Sequence, residues 1–319
     1  MKKFGRIAIF ASVCVLFGCV ANAGESWPRR SVEFVVTASA GGDTDFNART
    51  IGKYFRDIAG ASLVVTNMPG GGGSIATSNI KNARPDGSKG LFCHTGQLIV
   101  NEVSGLIDYS FEDFAISCIA GMNTSYVFVA SKESGITSLT DLVEKAKANP
   151  NTIIFGTEMG GFTHLQGLRL AKESGIDLKM VDTGSTSEKV TSLLAGRIDF
   201  AAVSYGSVQD YQQTGDLIIL AQGGAERNHL LGDIPTIMEQ GIPFAMEFPY
   251  VVSFPKGTSP EIVQRMSAIV KQITELPQYA KDLEDGYKQT VAYHDTEDAI
   301  EYLKKVRDDF MQYKELLKN

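Results

Sequence analysis

Short apolar runs rich in Val, Ile and Phe alternate along most of the chain with longer stretches whose apolar residues recur at helical spacing. Residues 32–37 read as a buried strand. Residues 44–58 read as a helix with Phe46, Ile51, Phe55 and Ile58 on one face, and residues 63–66 as the next strand. A short helix over 74–82 leads through the turn Arg84-Pro85-Asp86-Gly87 to a strand at 90–94. This βαβαβ order predicts a largely parallel sheet with helices on its faces. From residue 126 the pattern begins again, with strands predicted at 126–130, 152–155, 178–181, 197–203 and 217–221. Helices are predicted at 138–148, 162–173 and 187–195. Beyond an apolar stretch at 250–254 lie amphipathic helices at 260–275 and 296–317, which need a sheet to cover. A first unit of only ~100 residues gains core from them. The chain is therefore expected to cross twice between units, near 125–130 and 245–252, giving two α/β lobes on a two-stranded hinge with a cleft between them. Lobe 1 is assigned residues 24–127 plus 249–319, and lobe 2 residues 128–248.

Two glycine-rich turns each join a predicted strand to a predicted helix start: Ala40-Gly41-Gly42-Asp43-Thr44-Asp45 and Pro69-Gly70-Gly71-Gly72-Gly73-Ser74. Glycine lets backbone approach a ligand and adopt positive φ, and a helix starting directly afterwards offers unpaired N–H groups and the positive end of its dipole. Either turn alone is also an ordinary tight connection; together, at adjacent strand ends, they describe an anion cradle. Asp43 and Asp45 would repel an anion, so capping is their expected role, with Asp43 or Thr44 accepting from helix N–H groups. Thr95 and Gly96 follow the third strand and are expected at the same crevice, unless they simply end it. From the other lobe, Thr157 and Thr163 are expected to offer hydroxyls to the far end of a ligand, whereas His164 reads more simply as a helix histidine.

Lys2, Lys3 and Arg6, the apolar residues 7–17 and Ala21-Asn22-Ala23 have the form of an export signal over residues 1–23. Leu16-Phe17-Gly18-Cys19 also resembles a lipoprotein box, which leaves acylation of Cys19 as the alternative to a soluble periplasmic protein. Removing the signal leaves 27 basic and 37 acidic residues, net −10, which argues against nucleic acid or an anionic membrane as partner. Cys93 and Cys118 remain, either paired or as two separate buried thiols. The four histidines lack metal-ligand spacing, so no metal or cofactor is expected.

Trp27-Pro28-x-Arg30, Gly41-Gly42-x-Thr44-Asp45, Asn67-x-Pro69-Gly70-x-Gly72-Gly73, Pro85-Asp86-Gly87, Thr163-His164-Leu165, Leu193-Leu194-x-Gly196-x-x-Asp199 and Ile234-Pro235-Thr236 occur in this order. Through them the chain resembles the Bug family of tripartite tricarboxylate transporter receptors, from Trp27 to the C-terminus. The resemblance implies a periplasmic type II binding-protein fold and capture of a small organic carboxylate. It also implies a large and a small membrane permease subunit as partners and, at the site, a proximal carboxylate held by backbone of the two glycine turns with little help from cationic side chains. Thr183, Gly184 and Ser185 depart from the family pattern, as does Val203-Ser204-Tyr205, where many relatives carry Asp-Asn. With that amino-group partner missing, the expected ligand is a di- or tricarboxylate, or an acid with a neutral tail, bound by a monomer. A receptor that presents its ligand to a sensor kinase would share this sequence.

Enzyme readings fail on the letters. Ile75 stands where a dinucleotide fingerprint needs glycine, and no G-x-x-x-x-G-K-[ST], G-x-S-x-G or H-E-x-x-H occurs. Acid pairs such as Asp282 with Glu284 and Asp308 with Asp309 suit solvated helix faces rather than acid–base work. A hydrolase on a two-lobed scaffold is the remaining catalytic alternative.

Overall fold

The computed structural model describes residues 27–246 and 248–317; the expected export signal over residues 1–23 and Cys19 lie outside them. Among the described residues ten strands form two sheets: β1 (Val32–Val36), β2 (Leu63–Asn67), β3 (Lys89–His94), β4 (Phe114–Asn123), β5 (Tyr126–Ser131), β6 (Ile154–Thr157), β7 (Lys179–Asp182), β8 (Phe200–Ser204), β9 (Leu217–Gln222) and β10 (Phe248–Pro255). The helices are α1 (Asp43–Ala59), α2 (Ser74–Lys81), α3 (Asn101–Ser104), α4 (Leu139–Ala148), α5 (Phe162–Ser174), α6 (Thr186–Leu194), α7 (Gln209–Thr214), α8 (Pro260–Thr274), α9 (Pro277–Tyr287), α10 (Thr296–Met311) and α11 (Lys314–Leu317). The sheet orders are β2-β1-β3-β10-β4 and β7-β6-β8-β5-β9.

Neither sheet is purely parallel. The β2-β1-β3 and β7-β6-β8 blocks are, as expected from strand–helix alternation. However, β10 runs antiparallel to both β3 and β4, and β5 antiparallel to both β8 and β9. The departure has a topological cause. β5 enters sheet 2 directly from β4 through Thr124 and Ser125, and β10 returns the chain to sheet 1, so neither is preceded by the helical crossover that a parallel neighbour requires. Every residue of β5 and β10 is buried, as befits strands covered on both faces. The stack Phe34, Phe92 and Tyr250 anchors the core of sheet 1, and Phe128, Phe155 and Phe200 that of sheet 2.

Helices α8 and α10 pack on β4, and α8 and α9 pack on α1, which explains why the C-terminal amphipathic helices return to the first sheet. Cys93 and Cys118 are separate buried thiols, so the paired alternative is corrected. Residue 93 on β3 faces Val251, whereas 118 on β4 faces Val252 on the strand between them. Two strand spacings of ~4.8 Å exceed the reach of a disulfide. Burial pushes both thiols up, Cys118 to about 12.

Candidate functional site

Register decides where the loops meet. Val36 pairs with Asn67 and with Phe92, so the chain leaves β1, β2 and β3 at one edge of sheet 1. In sheet 2, Thr157 pairs with Asp182, which brings the loops after β6 and β7 together. Between the two edges lies a cleft of about 550 Å³, walled by Thr37, Gly42, Asp43, Thr44 and residues 69–73 on one side. Glu158, Met159, Thr163, Asp182 and residues 184–189 form the other. Its floor is aromatic. The Phe248 ring lies 4.4 Å from His94, 4.9 Å from Phe162 and 5.3 Å from Tyr126. Burial holds the His94 imidazole down at about 4, hence neutral at physiological pH, with Nδ1 accepting from the Gly96 N–H at 3.0 Å. A larger groove of about 930 Å³ runs along Trp27, Arg30, Asp86 and Ile262, but it touches neither glycine turn nor lobe 2.

The second turn strongly favours glycine throughout. Gly70 to Gly73 take φ of 114°, 57°, 60° and 87° in succession, a region strained for L side chains. A Cβ on Gly73 would lie 2.3 Å from Cγ of Gln97, and one on Gly72 3.0 Å from Leu106. Asn101 Nδ2 donates to the Gly72 carbonyl at 2.8 Å and pins the turn. Gly73 and Gly42 are the N-caps of α2 and α1, and neither helix start has a side-chain cap. At α1 the first-turn residues Asp43 and Thr44 line the cleft, and their amides have no intrahelical carbonyl to reach, with the positive dipole end behind them. At α2 the Gly73 and Ser74 N–H groups donate to the Gly70 and Gly71 carbonyls, so that turn meets the cleft with the backbone of Gly70 to Gly73.

The capping role expected of Asp43 and Thr44 is thus corrected. Asp43 turns inward instead, its Oδ2 accepting from Tyr250 OH at 2.6 Å and from Asn123 Nδ2 at 3.0 Å. The same Asn123 amide lies 2.8 Å from Ser204 Oγ and 2.9 Å from Tyr250 OH, and Gln289 Nε2 donates to that hydroxyl at 3.0 Å. This buried network ties the start of α1 to the ends of β4 and β8 and to β10, beside both chain crossings. It also surrounds the Asp43 carboxylate with donors. Asp45 shapes the first turn: its carboxylate accepts from the Gly41 N–H at 2.9 Å, from Asn67 at 2.8 Å and from Arg49 at 2.9 Å. Burial alone would raise that carboxyl, but these hydrogen bonds outweigh it and hold it below the usual range. The Gly41 carbonyl accepts from Tyr287 OH at 2.7 Å.

On the lobe 2 wall the hydroxyls expected to serve the ligand are already engaged. Thr163 Oγ1 accepts from the Glu158 N–H at 3.1 Å and from Lys189 Nζ at 3.0 Å, and lies 2.9 Å from Thr157 Oγ1. With two donors arriving, its own proton goes to Thr157. Thr183 Oγ1 donates to the Thr157 carbonyl, Ser185 Oγ to Glu188, and Ser204 accepts from Asn123. Besides the hydroxyls of Thr186 and Ser187 at the start of α6, this wall presents Lys189, a residue the sequence reading passed over. Its signal was legible: on α6 it shares the buried side with Val190 and Leu193, an unusual place for an ammonium.

Of the residues predicted for the site, Gly42, Asp43, Thr44, Gly71, Gly72, Gly73, Thr163 and Ser185 line the cleft. Gly41 opens instead on a neighbouring groove with Thr186, Ser187 and Tyr287, and Asp45, Ser74, Thr157, Thr183 and Ser204 are not part of the lining. Thr95 and Gly96 lie beneath it, the Thr95 hydroxyl without a partner among the described residues. His164 is a helix histidine whose Nδ1 accepts from the Gly160 N–H at 3.2 Å. Among the described residues no group of His, Cys, Asp and Glu is arranged to hold a metal ion.

The profile of the tripartite tricarboxylate transporter family receptor matches residues 47–319. The chain belongs to this receptor family. The receptor is 27% identical over 269 residues to the UPF0065 protein in the gbd 5′ region of Cupriavidus necator, covering 81% of this chain and 79% of that one. It is 26% identical over 246 residues to protein BugT of Bordetella pertussis, covering 76% and 75%. Its fold matches an R. palustris protein solved with adipate, with a TM-score of 0.84, 23% identity and coverage of 91% and 98%. MatC from Rhodopseudomonas palustris with bound malate matches with a TM-score of 0.80, 21% identity and coverage of 91% and 100%. These neighbours share the two-lobed periplasmic binding-protein architecture of the receptor.

Proposed function

We infer that the receptor acts outside the cytoplasm, captures a small organic carboxylate in the cleft, and delivers it to a tripartite tricarboxylate-type permease with a large and a small membrane subunit. The observation that carries this reading is the meeting of two glycine turns on one wall, the uncapped start of α1 behind Gly42 beside the backbone of Gly70 to Gly73. Backbone amides and dipole ends suit a carboxylate and ask for no metal or cofactor. The relatives solved with adipate and malate are acids of this class. Lobe 1 would take up the proximal carboxylate first, with lobe 2 closing over it about the two crossings between the sheets, and a permease would read the closed shape. No residue of the cleft is arranged as a nucleophile with its base, so the reading is one of capture rather than turnover.

A thermal-shift screen of the exported form against di- and tricarboxylates, aromatic acids and amino acids tests this. A ligand at 100 times its dissociation constant adds ~2.7 kcal/mol and visibly raises the midpoint. Stabilisation by one or more acids is expected; turnover of an ester or peptide without stabilisation by any acid would overturn it.

A further inference from the structure

We propose that Lys189 is the specificity-determining residue of the receptor, selecting acids whose far end carries a second carboxylate over acids with a neutral tail. The proposal rests on the carboxylate reading above and adds to it the group that lobe 2 recognises.

Lys189 is only 3% exposed, yet it lines the cleft. Its ammonium has three protons to place and donates one, to Thr163 Oγ1 at 3.0 Å. Among the described residues no carboxylate oxygen comes within ion-pair distance of it. A buried ammonium left this way costs several kcal/mol of lost hydration, so a fold that keeps it there implies a partner arriving from elsewhere. The cleft it lines is open to such a partner.

The acids facing Lys189 are Glu158, Asp182, Asp43 and Glu188, and they do not supply the partner. Asp43 accepts from Tyr250 and Asn123, Glu188 from the Ser185 N–H and hydroxyl in the cap of α6, and Asp182 from the Gly184 N–H. Glu158 is pushed upward by burial, against the pull of Lys189. Together these acids act at longer range to keep the ammonium charged: burial drives Lys189 down to about 8, and their field limits the fall. At neutral pH the lobe 2 wall therefore presents a cation with two free donors, across the cleft from the glycine turns. The Thr157 and Thr163 hydroxyls are turned to one another, and those of Thr186 and Ser187, which also line the cleft, carry no charge to pair with a carboxylate.

The test uses isothermal titration of the exported form with succinate, glutarate and adipate, each against its own monoamide, in the wild type and in Lys189→Met. The wild type should bind at least one diacid about 10- to 100-fold more tightly than its monoamide, the range of a charge-assisted hydrogen bond. Lys189→Met should bind diacid and monoamide alike. Its unliganded melting midpoint should also rise, because a similar apolar chain replaces a poorly paired buried charge. The wild-type affinity for the diacid should weaken as pH rises beyond about 8, where the ammonium of the free receptor loses its proton. Equal discrimination by the two proteins, or a pH-independent diacid affinity between 7 and 10, would overturn the role of Lys189 while leaving carboxylate capture intact. Tighter binding of the monoamides would do the same. Failure of the wild type to bind either series in this panel would instead bring down the carboxylate reading for these acids, and the proposal with it. If Lys189→Met does not fold, the pH titration of the wild type decides alone.

Discussion

Replacing Gly73 with alanine tests whether the second glycine turn is held by geometry rather than by habit of sequence. The residue has φ of 87°, and an added Cβ would sit 2.3 Å from Gln97 Cγ and 3.1 Å from Thr37 Cβ, both on side chains of the cleft. Left-handed backbone costs an alanine ~1–2 kcal/mol. The overlap adds ~1–3 kcal/mol, as other overpacked sites do, because Gln97 is itself tied to the His94 N–H at 3.1 Å. Gly41→Ala is the matched control, since its φ of 82° carries the same strain but its Cβ meets nothing within 4 Å. Urea unfolding followed by the single tryptophan, Trp27, reports on lobe 1, where its ring packs edge-on at 5.9 Å from Phe254. With a slope of ~2–3 kcal/mol/M, Gly73→Ala should unfold roughly 1 M earlier than the wild type and clearly earlier than Gly41→Ala. Its ligand affinity should drop as well. Coincident transitions for the two variants would refute the packing argument.

Tyr250→Phe removes the 2.6 Å donor from the buried Asp43 carboxylate and should cost ~1–3 kcal/mol in the same assay. An unchanged midpoint would mean the network beside the crossings is not structural. His94 is held neutral by burial down to about 4, whereas an unfolded histidine takes up its proton near 6.5, so the unfolded state binds the proton first. Stability present above pH 6.5 is therefore lost as pH falls from there towards 4, and His94→Gln should remove that part of the slope; parallel pH profiles would contradict the assignment. Iodoacetamide at pH 7 should leave the peptides carrying Cys93 and Cys118 unmodified in the native protein and modify both after denaturation, as read by peptide mass mapping. Protection that persists in denaturant until a reductant is added would mean a disulfide.

The parallel cores of both lobes were legible because successive strands there are joined by helices whose apolar spacing is clear, as in residues 44–58. The antiparallel directions of β5 and β10 were not. Both strands read simply as apolar runs, and direction is set by where the chain goes before and after, which no local pattern records. The glycine turns were legible for the same reason that they work: four consecutive positive φ values strongly favour glycine. The side chains around them were harder. Asp43 looked like a cap because it opens a helix; its partners Tyr250 and Asn123 lie 207 and 80 residues away in sequence, brought together only by the second crossing. Thr157 and Thr163 looked like donors until their mutual hydrogen bond was visible, and Lys189 was hidden among the polar residues of a helix start, though its position four residues before Leu193 put it on the buried face.

The most direct test is a crystal structure of residues 24–319 with whichever carboxylate raises the melting midpoint most. One carboxylate should lie against the first-turn amides of α1 and the backbone of residues 71–73, with the rest of the ligand over the His94 and Phe248 rings and reaching towards lobe 2. A ligand found in the groove along Trp27 and Ile262, or one that lies in the cleft with its carboxylate turned away from both glycine turns, would contradict the account.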